Sequence, residues 1–254
     1  MTVLKDKVAI VTGASSGIGR AAARLFAAEG AMVVVAGRRR GALDALVAEI
    51  GEAGGTATAL DGDIREEATA RNLVALATDL FGGLDIAFNN AGALGALGPV
   101  TELPLAQWQE TLETNLTSAY LGAKHQIPAM VARGGGSLIF TSTFVGHTVG
   151  VPGMAAYAAS KAGLLGLTQV LAAEHGPQGV RVNAILPGGT DTPMAEAFAD
   201  TPEAKAHVES LHALKRTAAP EEIARSALHL ASDASSFMTG AALLVDGGVS
   251  ICRA

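Results

Sequence analysis

Tyr157 and Lys161 stand four residues apart in the run Tyr157-Ala-Ala-Ser-Lys161. On a helix that spacing sets a phenol and an ammonium on one face. The two groups ordinarily titrate near ~10 and ~10.4, and a neighbouring cation that favours the phenolate draws the phenol toward working pH. Such a phenol can give a proton to a bound oxygen or take one from it. The run that follows, Ala162 to Glu174, has the small and apolar spacing of a buried helix, so the pair is expected on a rigid element. Taken alone, the same pair also reads as a packed ring beside a lysine whose stem lies along apolar surface. Other residues must decide.

A stretch suited to binding is Gly13-Ala-Ser15-Ser16-Gly17-Ile18-Gly19, which follows the β-rich run Val8 to Thr12 and opens an alanine-rich helix over Arg20 to Glu29. Between a strand and a helix, the first glycine allows a tight turn. The others let backbone approach a pyrophosphate and helix approach strand. The helix N-terminus then faces the phosphates. The end of the next strand, Met32 to Ala36, carries Gly37-Arg38-Arg39 and no carboxylate. An acid there would accept from the ribose hydroxyls of NAD, whereas an arginine would pair with the 2′-phosphate of NADP. This predicts NADP(H) in preference to NAD(H), with Arg38 as the main phosphate ligand and Arg39 in reserve.

The elements that must position these groups alternate regularly. Beyond the first βαβ unit come a helix near Leu43 to Ile50, a strand at Thr56 to Leu60, a helix at Glu66 to Leu80 and a strand at Asp85 to Asn89. A long helix from about Leu105 to Val131 follows, then a strand at Ser137 to Ser142, the Tyr157 helix, and a strand at Val180 to Leu186. A helix at Glu221 to Ala231 and a strand near Ala242 to Val245 close the chain. Continuous apolar strands separated by helices predict an α/β fold of the Rossmann type. Seven parallel strands would form one doubly wound sheet with helices on both faces, as a single domain over residues 1–254. Two stretches break the rhythm, Thr143 to Ala156 and Gly188 to Arg216. Each follows a strand end, the edge where such sheets bind ligands.

Composition narrows the function further. The formal charge of −6 lacks the basic face of a nucleic-acid binder, and no apolar run reaches membrane-spanning length. The start, Met1 to Val8, enters a strand with no secretory pattern, so a cytoplasmic protein is expected. The single cysteine, Cys252, excludes an internal disulfide and any cysteine-based metal cluster, and no metal site is expected.

With Gly13 to Gly19, Tyr157 and Lys161 in order on one chain, the sequence resembles the shorter, single-domain branch of the short-chain dehydrogenase/reductase family, nearly end to end. Asn89-Asn90-Ala91-Gly92 resembles the family segment that steadies the sheet centre and borders the adenosine ribose. Asp63 and Ile64 fall where the family contacts the adenine. Asn115 matches the helix asparagine that holds a water next to the lysine. Pro187-Gly188-Gly189-Thr190-Asp191-Thr192 resembles the segment that binds the nicotinamide amide and the nearby phosphate, and Val245-Asp246-Gly247-Gly248 also fits.

One position departs from the pattern. The family places a substrate-binding serine at the end of the fifth strand, and this chain offers both Ser142 and Thr143. Adjacent strand residues face opposite ways, so one of the two is expected in the site. Register favours Thr143, one residue farther from Tyr157 than the family spacing, and Ser142 is the alternative.

The resemblance implies reduction of a ketone or aldehyde to an alcohol, or the reverse. Tyr157 would be the general acid/base, Lys161 would lower its pKa and touch the nicotinamide ribose, and Ser142 or Thr143 would orient the oxygen. Asn115 would connect Lys161 through water to bulk. Expected walls are Gly95 to Gly98, Phe144, His147, Met154 and Met194 to Phe198, an apolar set suited to a small neutral carbonyl compound. The resemblance extends to acyl-carrier-protein ketoreductases, which need a basic docking surface that this acidic chain does not clearly offer. It also implies a homotetramer packed through the long helices. The competing readings are a dinucleotide-binding regulator without turnover, an NAD-dependent alcohol dehydrogenase, and an epimerase on the same fold.

Overall fold

The computed structural model describes residues 2–196 and 199–252. The strands are β1 (Val8–Thr12), β2 (Met32–Gly37), β3 (Thr56–Asp61), β4 (Ile86–Asn89), β5 (Gly136–Thr141), β6 (Val180–Pro187) and β7 (Ala242–Val245). They form one parallel sheet of order β3-β2-β1-β4-β5-β6-β7. The order reverses between β1 and β4, which opens a crevice above the carboxyl ends of those strands. Every residue of β1 is buried and β5 is buried from Ser137 onward, because helices cover both faces. Edge strand β3 is only partly covered, which matches its alternation of threonine and alanine.

One face of the sheet carries α1 (Gly17–Ala28), α2 (Arg40–Glu52) and α9 (Pro220–Ala231), packed through Phe26, Leu43, Leu46, Ile223 and Leu230. The other carries α3 (Glu67–Phe81), α5 (Ser118–Ala132) and α6 (Ala155–His175), packed through Leu73, Ile127, Met130 and Leu164. The Phe26 and Phe88 rings meet at 6.4 Å, a tilted pair within the first of these cores. No described helix is long and apolar enough to cross a membrane.

The structure differs from the sequence-based expectation in three places. The helix expected over Leu105 to Val131 is α4 (Leu105–Leu112) and α5 joined by a π-helical turn, Glu113–Thr117. The amide of Ser118 reaches back five residues to the Glu113 carbonyl. This one-residue expansion turns Asn115 inward, where it is 1% exposed. The stretch from 188 to 216, which has no clear period, holds the short helices α7 (Pro193–Glu196) and α8 (Pro202–Leu211). Finally, β5 runs from Gly136 and stops at Thr141, so Ser142 lies beyond the strand.

Candidate active site

The dinucleotide end is built where β1 turns into α1. Gly13 and Gly17 adopt φ of +68° and +54°, conformations that side chains rarely take. A Cβ on Gly19 would strike the Gly13 carbonyl oxygen and come within 2.7 Å of Asn90 Nδ2, so only glycine lets helix and sheet meet here. Ser16 caps α1 with no side-chain hydrogen bond, and no acid occupies the first turn. The first amides of the helix therefore keep their donors and their positive end for an anion. Ile18 follows inside the first turn, packed against the core.

The neighbouring segments converge on this loop. Thr12 Oγ1 accepts the Asn90 and Ala91 amides at 3.0 and 3.1 Å, while Asn90 Nδ2 donates to the Thr12 carbonyl at 3.2 Å. Thr141 donates to Asn90 Oδ1 at 3.1 Å, so one asparagine fastens the ends of β1, β4 and β5. Gly188 donates to the Val245 carbonyl at 3.1 Å, which fixes the Pro187 to Thr192 segment against β7. Thr192 lies beside Gly17: a Cβ there would stand 3.0 Å from Thr192 Cγ2. Thr190 pairs with Ala218 as an isolated parallel bridge, and Gly189 accepts the Ala218 amide at 2.8 Å.

At the end of β2, Arg38 and Arg39 are exposed, and Arg39 Nη2 donates to Ser15 Oγ at 3.0 Å. Arg40 instead pairs with Asp44 and Asp61. The Asp63 carboxyl is shifted below its ordinary value, chiefly by hydrogen bonds from the Arg65 side chain. The Arg65 clamp leaves no motif in the sequence, since it rests on a side chain two residues away folding back on Asp63. These residues fit a nicotinamide dinucleotide: a glycine cradle that a Cβ would fill, an uncapped helix end, and two arginines beside the loop.

The reacting end lies where β5, the loop after it and α6 meet. Tyr157 lies half-buried in the first turn of α6, with Thr143 close enough to its hydroxyl to act on its titration. Loss of solvation pushes the phenol above its ordinary value of 10.0, and the nearby Thr143 hydroxyl pulls the other way. Lys161 is 4% exposed and donates from Nζ to the Thr141 carbonyl at 2.7 Å. Burial alone lowers its ammonium to about 8. The expected depression of the phenol by the ammonium is therefore not what this arrangement produces, because loss of solvation dominates both groups.

Thr143 and Ser142, both just beyond β5, point different ways. Ser142 Oγ donates to the Lys161 carbonyl at 2.8 Å and faces the backbone of α6. Thr143 faces Tyr157 and accepts the Val145 amide at 3.3 Å. Ser142 is thus corrected from candidate substrate ligand to a strut under the helix.

Asn115 is tied into the surrounding chain. Its side chain is spent on Ala93, donating to the carbonyl and accepting the amide at 2.8 Å each, and on Ser160 Oγ at 3.0 Å. A cavity of about 20 Å³, room for one water, lies against Asn115, Ser118, Gln126, Thr141 and Lys161. Gly92 packs against both groups: a Cβ would stand 3.0 Å from Asn115 Oδ1 and 3.1 Å from Lys161 Nζ.

Among the expected walls, the Gly95–Gly98 loop meets the later one through a 3.0 Å bond from the Gly98 amide to the Gly153 carbonyl. Met154 and Val145 are buried, Phe144 is half-buried and His147 is exposed. Met194 is largely exposed, and Phe198 lies outside the described residues.

A family model described as enoyl-(acyl carrier protein) reductase matches residues 13–250. The chain is 42% identical over 249 residues to the 2,5-dichloro-2,5-cyclohexadiene-1,4-diol dehydrogenase of Sphingobium indicum, covering 98% of each. The chain belongs to the short-chain dehydrogenase/reductase family. It is also 42% identical over 252 residues to the 3beta-hydroxysteroid dehydrogenase 1 of Eggerthella lenta, covering 98% of this chain and 95% of that one. A solved family structure from Beutenbergia cavernae matches at a TM-score of 0.92 and 36% identity, covering 98% of each chain. That structure is named as a candidate NAD(P)-dependent gluconate 5-dehydrogenase and holds NADP at low occupancy. Like these members of the family, the chain is an oxidoreductase that uses a nicotinamide dinucleotide.

Proposed function

We propose that this protein interconverts a secondary alcohol on an apolar ring with the corresponding ketone, using NADP(H). The observation that carries the chemistry is Thr143 close to the Tyr157 hydroxyl, with the buried Lys161 one turn further along the same helix. A bound nicotinamide supplies or accepts the hydride. Thr143 holds the substrate oxygen against the Tyr157 hydroxyl. Tyr157 donates its proton to that oxygen during reduction and recovers one during oxidation. Burial keeps the phenol protonated near neutral pH, the form that reduction needs, so oxidation should gain as pH rises. Lys161, anchored on the Thr141 carbonyl, sets the ribose side of the site. The one-water cavity between Lys161 and the π turn gives the proton a first step toward bulk.

The ring-alcohol reading is supported by two relatives named for a cyclohexadiene diol and a steroid. It is also supported by the buried Val145 and Met154, which follow Thr143 and precede Tyr157. Arg38 and Arg39 support the choice of NADP(H). A homotetramer is the assembly we favour: Tyr120 on α5 and Val170 on α6 leave 49% and 54% of their surfaces exposed. Elution from gel filtration as a monomer would remove that part. We place the protein in the cytoplasm.

The test is nicotinamide absorbance with NADPH and NADH in parallel, over cyclic ketones, open-chain ketones, aldehydes and β-ketoacyl thioesters. Consumption of NADPH with cyclic ketones is the expected result. Arg38→Ala should lower the NADPH-to-NADH efficiency ratio at least ~10-fold, the order of one charge-assisted phosphate contact. An unchanged ratio would remove the Arg38 assignment, and turnover confined to thioesters would overturn the substrate class.

A further inference from the structure

His212 stands directly after α8, at the far end of the stretch that borders the site, yet it is 2% exposed. Both ring nitrogens are engaged. Nε2 accepts the amide of Gly189 at 2.9 Å, and Nδ1 bonds to the Val208 carbonyl at 2.8 Å. A carbonyl only accepts, so the proton is on Nδ1. An amide only donates, so Nε2 carries none. The ring is a neutral imidazole in a single tautomer.

The surroundings leave the ring little freedom. A Cβ on Gly189 would stand 2.8 Å from His212 Cε1, and one on Gly247 would stand 3.3 Å from Cδ2. Beyond the ring, the Leu214 amide donates to the Gly247 carbonyl at 3.1 Å, and the Asp191 amide to the Ala218 carbonyl at 2.9 Å. The chain from 212 to 218 thus threads between the Pro187–Thr192 segment and the turn after β7. His212 is the buried side chain that ties the first of these to α8, beside an exposed pairing of Lys205 with Asp191 at 3.9 Å.

We infer that His212 is a positioning residue for the nicotinamide half of the cofactor site. Its bond to the Gly189 amide fixes the peptide plane that leads into Thr190, and its bond to Val208 makes that plane depend on where α8 sits. The position of α8 is thereby coupled to the nicotinamide side of the site. Arg38, Arg39 and Asp63 lie at the other end of the crevice and share no contact with this ring. The inference rests on the dinucleotide reading above.

The experiment uses binding. NADPH and adenosine 2′,5′-bisphosphate, which lacks the nicotinamide half, are titrated into wild type, His212→Phe and His212→Gln by calorimetry. His212→Phe keeps a ring and deletes both polar atoms. NADPH affinity should fall about ten-fold, the scale of one buried hydrogen bond, while the bisphosphate binds unchanged. His212→Gln, which can still accept from Gly189, should recover most of the loss. Equal loss for both ligands would mean a merely structural role and overturn the inference, as would no loss for either. If His212→Phe fails to fold, the wild type still decides. The His212 ring resonances should shift when NADPH is added and stay fixed with the bisphosphate, and identical responses would overturn the claim. Wild-type protein that binds neither ligand would overturn the dinucleotide reading itself, an outcome distinct from all of these.

Discussion

Thr143 and Ser142 are one residue apart, yet one hydroxyl lies toward the phenol and the other toward the helix backbone. Thr143→Val keeps the shape and removes the donor, so kcat/KM should fall about a hundred-fold, the scale seen when a donor to a reacting oxygen is deleted. Ser142→Ala should leave kcat/KM nearly unchanged and cost about 1 kcal/mol of stability, measured by denaturant titration. Equal losses of activity from both would contradict the assignment.

Lys161 makes a second prediction at this scale. Its ammonium falls from 10.5 to about 8 in the folded chain, worth roughly 3 kcal/mol against the charged form. The unfolded chain binds the extra proton between those values, so stability should rise with pH from about 8 to about 10.5. Below about 8 the penalty is complete. Lys161→Met should therefore unfold at higher denaturant near neutral pH, by about 2 kcal/mol once the orphaned Thr141 carbonyl is counted. The gain should vanish toward the alkaline end of that window, and a loss of stability near neutral pH would refute the burial argument. The sequence shows that Tyr157 and Lys161 share a face. It does not show that burial outweighs their mutual effect, because desolvation depends on what covers them.

At the scale of elements, the glycine loop and Asn115 illustrate two kinds of legibility. The loop is readable because its glycines serve local backbone geometry and lie between a strand and a helix. Gly19 goes further, since its missing Cβ is what lets α1 reach β1 and β4. Gly19→Ala should cost about 1–3 kcal/mol through overpacking and weaken dinucleotide binding, measured by denaturation and by NADPH titration. Full stability in that variant would mean the contact relaxes freely. The π turn at Glu113–Thr117 left no such mark: the apolar period runs through it, and what widens the helix is the pairing of Asn115 with Ala93, a contact distant in sequence. The helices α7 and α8 were hidden for a similar reason. Neither holds a described buried residue to set a period, and proline starts both.

For the whole molecule, the alternation of buried strands with amphipathic helices was enough to give seven strands, one sheet and its parallel sense. The binding crevice then follows from the reversal of strand order between β1 and β4. What the pattern could not give is the lining of the substrate space, because those side chains come from loops whose course depends on one another, as with the Gly98 to Gly153 bond. The proposed chemistry turns on one proton held by Tyr157. The direct measurement is turnover of a cyclic ketone with NADPH by wild type and Tyr157→Phe, alongside NADPH affinity for each. The phenylalanine keeps the ring and deletes only the hydroxyl, so turnover should fall by at least ~1,000-fold with affinity nearly unchanged. Substantial turnover in Tyr157→Phe would contradict the account.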